Sequence, residues 1–531
     1  MIKKILFIPL FAWVLISISS CTGFLDVKPD NYVASTENYY KNKQQLDIAL
    51  RGVYAILAET FTYGNTMLGR MGLEADEGFM HFPTDNGTMG YYVVNTTDDK
   101  ILNHWRALYR GISRANLLLK NIDNPEIDIE ATERSNIKGQ ALFLRGYYFF
   151  MLVSRFGGVP LVLDPPVSSE DEYTQLPRST AQEVYQQVLS DMEQAADLVE
   201  DIKIVKSAGR VSKSTVWGIL SRVNLYMAGY PLNETARYQE AAKWAKKVID
   251  LDFHQLNPSY ERVFINYSAD EYDKEESIWE VEFWGNGTGI YSTAGGAVGI
   301  INGIAYSATG TASWGFSQGM VRPHPWLYRL YDANDLRRDC AIAPYKYTDA
   351  GKEAFSPTSL IIERFCGKFR REYEKVFPKT TTQTPQNFPL LRYADVLLMY
   401  AEAINESEGN PENALKFINQ VRRRAKGIDV KGNNTSADLP TGTSYTVFKA
   451  ELKNERAREL CFESLRKNDL VRWGDFYTNM KQRLTEAPAG TNTLYVSMRN
   501  YYTNVTPRDV IWPIPSYEMG VNPNLVQNEG W

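Results

Sequence analysis

The run Ala141-Leu142-Phe143-Leu144, followed by Tyr147-Tyr148-Phe149-Phe150, constrains this chain more than any other stretch. It falls in a helix predicted over about Glu133 to Arg155 that is apolar nearly all round. A helix with no polar stripe has to be covered on every side, so this one predicts a central, buried helix in a mainly α fold. Gly157-Gly158-Val159-Pro160 ends it.

Amphipathic helices surround it in the sequence. Leu46, Leu50, Val53 and Leu57 recur at three- and four-residue spacing, and helical patterns follow at Ile101 to Ile122, Thr180 to Val199, Lys213 to Ala228 and Tyr238 to Leu251. Val216, Leu220, Val223 and Met227 answer Ala241, Trp244, Ala245 and Val248 across a turn near Pro231. The arrangement recurs where Tyr393 to Asn405 is followed by Asn410 as N-cap, Pro411 at the first helical position, and a face of Leu415, Ile418, Val421 and Ala425. These pairs read as divergent tetratricopeptide-like repeats whose irregular spacing means an interrupted array. A last helix, Val447 to Leu465, runs on towards Trp473-Gly474. Its Glu455, Arg456, Arg458, Glu459, Glu463 and Arg466 alternate in sign and read as a salt-bridged face. Arg422, Arg423 and Arg424 read as an exposed helix face.

The interruption is about Asp252 to Pro389. Ile278, Glu280, Glu282 and Trp284 alternate with Trp279, Val281 and Phe283, which predicts a strand, with Glu280 and Glu282 on its exposed side. Ten of the 36 glycines then lie between Gly285 and Gly319, among Tyr291, Tyr306, Trp314 and Phe316. Glycine-rich text makes poor core but good loops for presenting aromatic faces to a ligand. A second long irregular stretch, Phe61 to Asp99, carries Glu74, Asp76, Glu77 and His81.

A net charge of −5 and a pI near 5.7 argue against a nucleic-acid surface, which needs a basic face to release counterions. Tyrosine leads the aromatics, at 33 residues, and its flat apolar face with a polar edge suits sugar rings as well as helix packing. The four histidines form no metal-binding pair, and there is no P-loop or dinucleotide fingerprint. Gly315-Phe316-Ser317-Gln318-Gly319 matches a nucleophile elbow in letters, but Pro323 and Pro325 stand where its helix would begin. No cofactor, metal or catalytic residue is expected. Cys340 and Cys366 could pair in an oxidising compartment, and Cys461 reads as a small hydrophobe on an apolar helix face.

At the N-terminus, Lys3 and Lys4 precede an apolar run from Ile5 to Ile18, too short to span a bilayer comfortably, and Ser19-Ser20-Cys21 closes it. This predicts a lipoprotein signal peptide with lipidation at Cys21, followed by a tether over Thr22 to Ser35. Several acyl chains on one cysteine hold essentially permanently, where a single one binds only reversibly.

The chain resembles the SusD/RagB outer-membrane lipoproteins, nutrient-binding partners of TonB-dependent transporters. The resemblance is carried by Phe24-Leu25-Asp26 after Cys21; by Trp105, Tyr109 and Asn116; and by Ala141 to Tyr148 running on to Arg155-Phe156-Gly157-Gly158-Val159-Pro160-Leu161. It continues in Leu391 to Leu398, Ala401-Glu402-Ala403, Asn419-Gln420-Val421-Arg422, Glu455-Arg456 to Trp473, and the tail Pro513-Ile514-Pro515 to Gly530-Trp531. Ser464, Lys467-Asn468 and Glu529 depart from the family pattern at packing positions.

The resemblance implies four tetratricopeptide-like helix pairs as scaffold and an irregular subdomain bearing the ligand site. It also implies a cell-surface glycan-binding protein, not an enzyme, that acts as a lid over its transporter in the outer membrane. A peptide-binding member is the alternative within the family; a glycoside hydrolase or a pure scaffold fits less well. The expected organisation is signal peptide 1–20, lipidated tether 21–35, scaffold 36–251 and 390–531, and ligand-binding subdomain 252–389. Family ligand residues vary, so the site rests on the residues themselves: Trp284, Tyr291, Tyr306 and Trp314 as stacking platforms, with Asp76, Glu77, His81 and Asn286 as hydrogen-bonding groups.

Overall fold

The computed structural model describes residues 39–82, 89–165, 175–289, 295–307, 314–433 and 435–531. The expected signal peptide, Cys21 and the expected tether lie outside the described residues, as does Tyr291.

The mainly α fold is borne out. Helices α1 (Lys43–Tyr54), α2 (Asp99–Ile122), α3 (Ala131–Phe156), α4 (Ala181–Leu198), α5 (Lys213–Ala228) and α6 (Arg237–Asp250) stand where the periodicity puts them. Their starts are chemically specified. Asn42 and Asp98 accept the first free amides of α1 and α2, and Thr180 with Glu183 closes a capping box on α4. Each helix packs on the next, and α6 lies along α8 (Tyr393–Glu408), which pairs with α9 (Glu412–Ala425). The array interrupted in sequence is therefore continuous in space. Asn410 does cap the last pair, through Glu412 N, but Pro411 stands one position before the helix proper.

The central helix α3 is buried as its composition demands. Gly111 of α2 lies under the Tyr148 ring, where a Cβ would come within 2.6 Å, and Gly146 lets α4 approach closely. Arg145 holds Asp191 through two bonds of 2.8 and 2.7 Å and reaches Asn116 at 3.0 Å, which binds three helices. The chain end closes over the C-terminus of α3: Asn528 Nδ2 donates to the carbonyls of Phe156 and Trp512, and Trp512 N to that of Arg155. None of the described helices is long and apolar enough to cross a membrane.

Among the described residues, three antiparallel two-stranded ladders complete the fold. They are β1 (Gly78–Met80) with β3 (Val321–Pro323), β2 (Ser277–Val281) with β6 (Phe388–Arg392), and β4 (Tyr345–Thr348) with β5 (Gly351–Ala354). The inserted stretch also holds a helix the sequence reading lacks, α7 (Tyr260–Ala269), capped by Ser259. Strand β2 has no exposed side. Trp279 sits edge-on to Phe143 and Tyr147 of α3, and Glu280, 4 % exposed, is bonded to Ser277 and Asn387. Cys340 and Cys366 are buried free thiols, and Cys461 lies just beyond the helix it was expected to face from.

The largest correction concerns charge. Helix α10 (Tyr445–Leu460) and α11 (Arg466–Arg472), with the turn between them, carry a buried ionic lattice and not a solvated face. Arg392 bonds Glu463, Glu276 and Glu459 at 2.8–3.0 Å; Arg424 bonds Glu459 at 2.6 Å; Arg337 joins Glu455, Glu459 and Asp335; Lys368 joins Glu463. Arg456 bridges Asp395 and Asp469, and Arg222 completes Asp395. Arg423 pairs with Asp438, so the Arg422–Arg424 face is largely internal too. Arg337, Lys368 and Glu276 belong to the inserted stretch, so these bonds fasten it to the scaffold. Burial alone raises the Glu459 carboxyl, but the guanidiniums of Arg424, Arg392 and Arg337 outweigh it and hold it down at about 2. Ser464, at a position where the family usually has glycine, adopts a left-handed φ of 62° and returns a 2.6 Å bond from Oγ to the Met67 carbonyl.

A carboxyl beside the lattice shifts the other way. Burial pushes the Glu77 carboxyl up to about 8, against the single bond it accepts from Phe462 N. Burial likewise lifts Glu280 to about 8. Both groups are raised above their unfolded value, so their stabilisation is complete below pH 4.5 and is lost as pH rises through 8. The four histidines are all depressed, to about 3 or 4, so they are neutral in the fold, and in the unfolded chain they shed their protons by about pH 7.5. Between about pH 7.5 and 8.5 stability should therefore fall. Glu77→Gln should roughly halve the slope, by up to about 1.4 kcal/mol per pH unit. Urea unfolding at several pH values reads this directly, and an unchanged slope would mean that Glu77 is ionised in the fold.

Candidate functional site

Strand β2 delivers the chain to an aromatic face. Phe283 is buried, its amide held by Asn387 Oδ1 at 2.9 Å, and the next residue, Trp284, is 57 % exposed. Gly285 and Gly287, at φ 87° and 79°, then turn the backbone through conformations that side-chain-bearing residues resist. Between them Asn286 points inward: Nδ2 donates to the Pro378 carbonyl at 2.7 Å, Oδ1 accepts from Thr288, and its own carbonyl accepts from Thr380 Oγ1 at 2.6 Å. The loop of Trp284 is thus locked to the loop of Phe377, which is 65 % exposed.

A second platform lies across the same segment. Trp314 stacks on Tyr347 of β4 with centroids 4.7 Å apart and planes 8° from parallel, and its Nε1 donates to the Thr348 carbonyl at 3.1 Å. Lys352 Nζ lies 4.6 Å from the Tyr345 ring centroid and 5.9 Å from that of Trp314. Tyr306 meets Tyr347 edge-on and donates to Asp349 at 2.8 Å. Immediately after Trp314, Gly315 approaches so closely that a Cβ there would come within 3.1 Å of Arg371 and of Lys379 Cβ. Arg371 is buried, paired with Glu374, and donates to the carbonyls of Phe316 and Thr380. The Trp314 loop meets Arg371 directly, and the Trp284 loop is tied to it through Thr380, whose hydroxyl holds the Asn286 carbonyl. Tyr272, also exposed, borders the Trp284 end beside Glu282.

Of the residues expected to act together, Asn286 and Trp314 stand on loops linked through Thr380 and Arg371, and Trp284 lies two residues before Asn286. Asn286, 2 % exposed, holds loops and has no free edge. Tyr306, at 8 %, buttresses Tyr347 and is not itself a platform. Asp76 and Glu77 are corrected outright. Asp76 is fully buried, clasped by Arg466 at 2.7 and 3.0 Å, and Glu77 lies beside it under Phe462. His81 follows the β1–β3 ladder, its Nδ1 within 2.9 Å of Ser497 Oγ, and burial with the nearby Arg322 charge lowers its pKa to about 4. Sequence reasoning missed Tyr345, Tyr347 and Phe377. The alternation Tyr345-Lys346-Tyr347 was a usable strand signal for the first two; Phe377 carried none.

Two family models match the chain: one described as the SusD family, over residues 346–531, and one described as starch-binding associating with outer membrane, over residues 23–225. The SusD-like protein P25 of Formosa agariphila is 27 % identical, with 99 % of this chain and 98 % of that protein covered. A crystal structure of a SusD homolog from Bacteroides thetaiotaomicron superposes with a TM-score of 0.85 at 28 % identity, covering 93 % and 98 % of the two chains. The surface glycan-binding protein A of the same organism, solved in complex with laminarihexaose, shares the fold at a TM-score of 0.70 and 20 % identity, covering 92 % and 99 %.

Proposed function

The chain belongs to the SusD/RagB family, and on that premise we propose that it is a surface lipoprotein that captures an oligosaccharide on the Trp284–Trp314 face. It hands the ligand on, chemically unchanged, to a TonB-dependent transporter of the outer membrane. The observation that carries the reading is the pair of tryptophan-bearing loops linked through Thr380 and Arg371. Stacking a pyranose face on an indole removes apolar C–H surface from water, and a ring fixed in advance loses little freedom on binding. Phe377 and the Trp314–Tyr347 stack extend this surface. The family model's description as starch-binding, and the laminarihexaose complex of a protein with the same fold, support a glycan over a peptide. The lipobox at Ser19-Ser20-Cys21 supports anchoring at Cys21. The Thr288 hydroxyl, in the loop of Trp284, supplies a hydrogen bond beside the rings.

Isothermal titration of the mature chain with polysaccharide fragments, alongside protein digests, tests this. Binding of at least one glycan series, with the ligand recovered at unchanged mass, is the expected result. Affinity for peptides alone would transfer the protein to the peptide-binding branch, and release of shorter products would make it an enzyme.

A further inference from the structure

We propose that the ligand of this face is an uncharged oligosaccharide and that the face selects against sulfated and uronate glycans. The inference rests on the glycan-binding reading and narrows it. In a chain of which 23 % is charged, no Asp, Glu, Lys, Arg or His occurs between Glu282 and Arg322. That span includes Trp284, Asn286 and Trp314, and in their place it offers Ser, Thr, Asn, Gln and Tyr, the donors and acceptors that match sugar hydroxyls.

The cations that border the face are already matched. Lys352 pairs with Glu372 at 2.5 Å, Lys346 with Glu353 at 3.0 Å, Lys375 with Glu271, and Arg371 with Glu374. Lys379 turns its ammonium inward to the Arg371 carbonyl at 2.5 Å. Asp349, engaged by Tyr306, and Asp270 and Glu282, near Trp284, lie outside these pairs; Arg210 stands against Glu282 and Arg262 shares Glu271 with Lys375, so the border carries no excess of cations. A sulfate or carboxylate brought onto the rings would shed water without gaining a charge-assisted partner, and it would meet Glu282 two residues from Trp284. A neutral sugar incurs neither cost.

The test is titration with matched hexaoses: laminarihexaose, maltohexaose, xylohexaose and mannohexaose against sulfated laminarihexaose and hexagalacturonate, each at about 0.02 and 0.5 M salt. Expected is a neutral ligand bound about tenfold or more tighter than any anionic one, with an affinity that salt changes less than about twofold. Glu282→Gln should narrow the gap at low salt. An anionic hexaose that binds best, or an affinity that falls about tenfold with salt, overturns the inference while leaving the glycan reading intact. Binding of no saccharide at all sinks the glycan reading and this inference with it.

Discussion

Arg392→Ala should destabilise the protein by about 3–5 kcal/mol, enough to unfold much of the population at 37 °C. Arg392 closes β6 and precedes α8, and its guanidinium is all but fully buried. It divides its donors among Glu463, Glu276 and Glu459. Removing it leaves three carboxylates with Arg424, Lys368 and only a share of Arg337, which also serves Asp335 and Glu455, to offset them. The loss thus comes mainly from uncompensated buried charge, not from the absent bonds. Arg392→Lys keeps the charge but cannot form the fork, so it should fall between alanine and wild type. Chemical unfolding at pH 7 measures both. A cost below about 1 kcal/mol for the alanine variant would mean that water reaches the lattice.

Trp314→Ala and Trp284→Ala should each weaken glycan binding by about 1–3 kcal/mol, a loss of roughly 5- to 150-fold in affinity. The two differ in what else they disturb. Trp284 is 57 % exposed, so its removal should lower the melting temperature less than that of Trp314. Trp314 is half of a parallel stack with Tyr347 and donates to Thr348, so its loss should also loosen β4 and β5. Trp314→Phe separates the effects, keeping a ring against Tyr347 while giving up the indole edge. Titration with a bound oligosaccharide, next to thermal unfolding of each variant, reads both quantities. A glycan bound with undiminished affinity by both alanine variants would place its site elsewhere on the molecule.

The comparison of sequence with structure divides along the range of the interactions. Helical spacing, N-caps and the all-round apolar α3 are local properties, so the scaffold helices were legible to within a few residues. Alternating charge along α10 was legible too, but a period says which residues share a face and not what covers that face. Glu455, Arg456 and Glu459 repeat as a surface helix would, yet Arg392, Arg337 and Glu276 arrive from other parts of the chain and bury them. Asp76 looked like a ligand group for the same reason. The arginine that neutralises it stands 390 residues away.

The sequence by itself determined the helical scaffold, its interruption, the absence of charge between Glu282 and Arg322, and the family resemblance, because each is written in residue types and short spacings. Only the tertiary structure decided which acids are interior ion partners and that the loops of Trp284 and Trp314 are linked through Thr380 and Arg371. Exposure and convergence depend on contacts between segments far apart in the chain, and no local pattern encodes them.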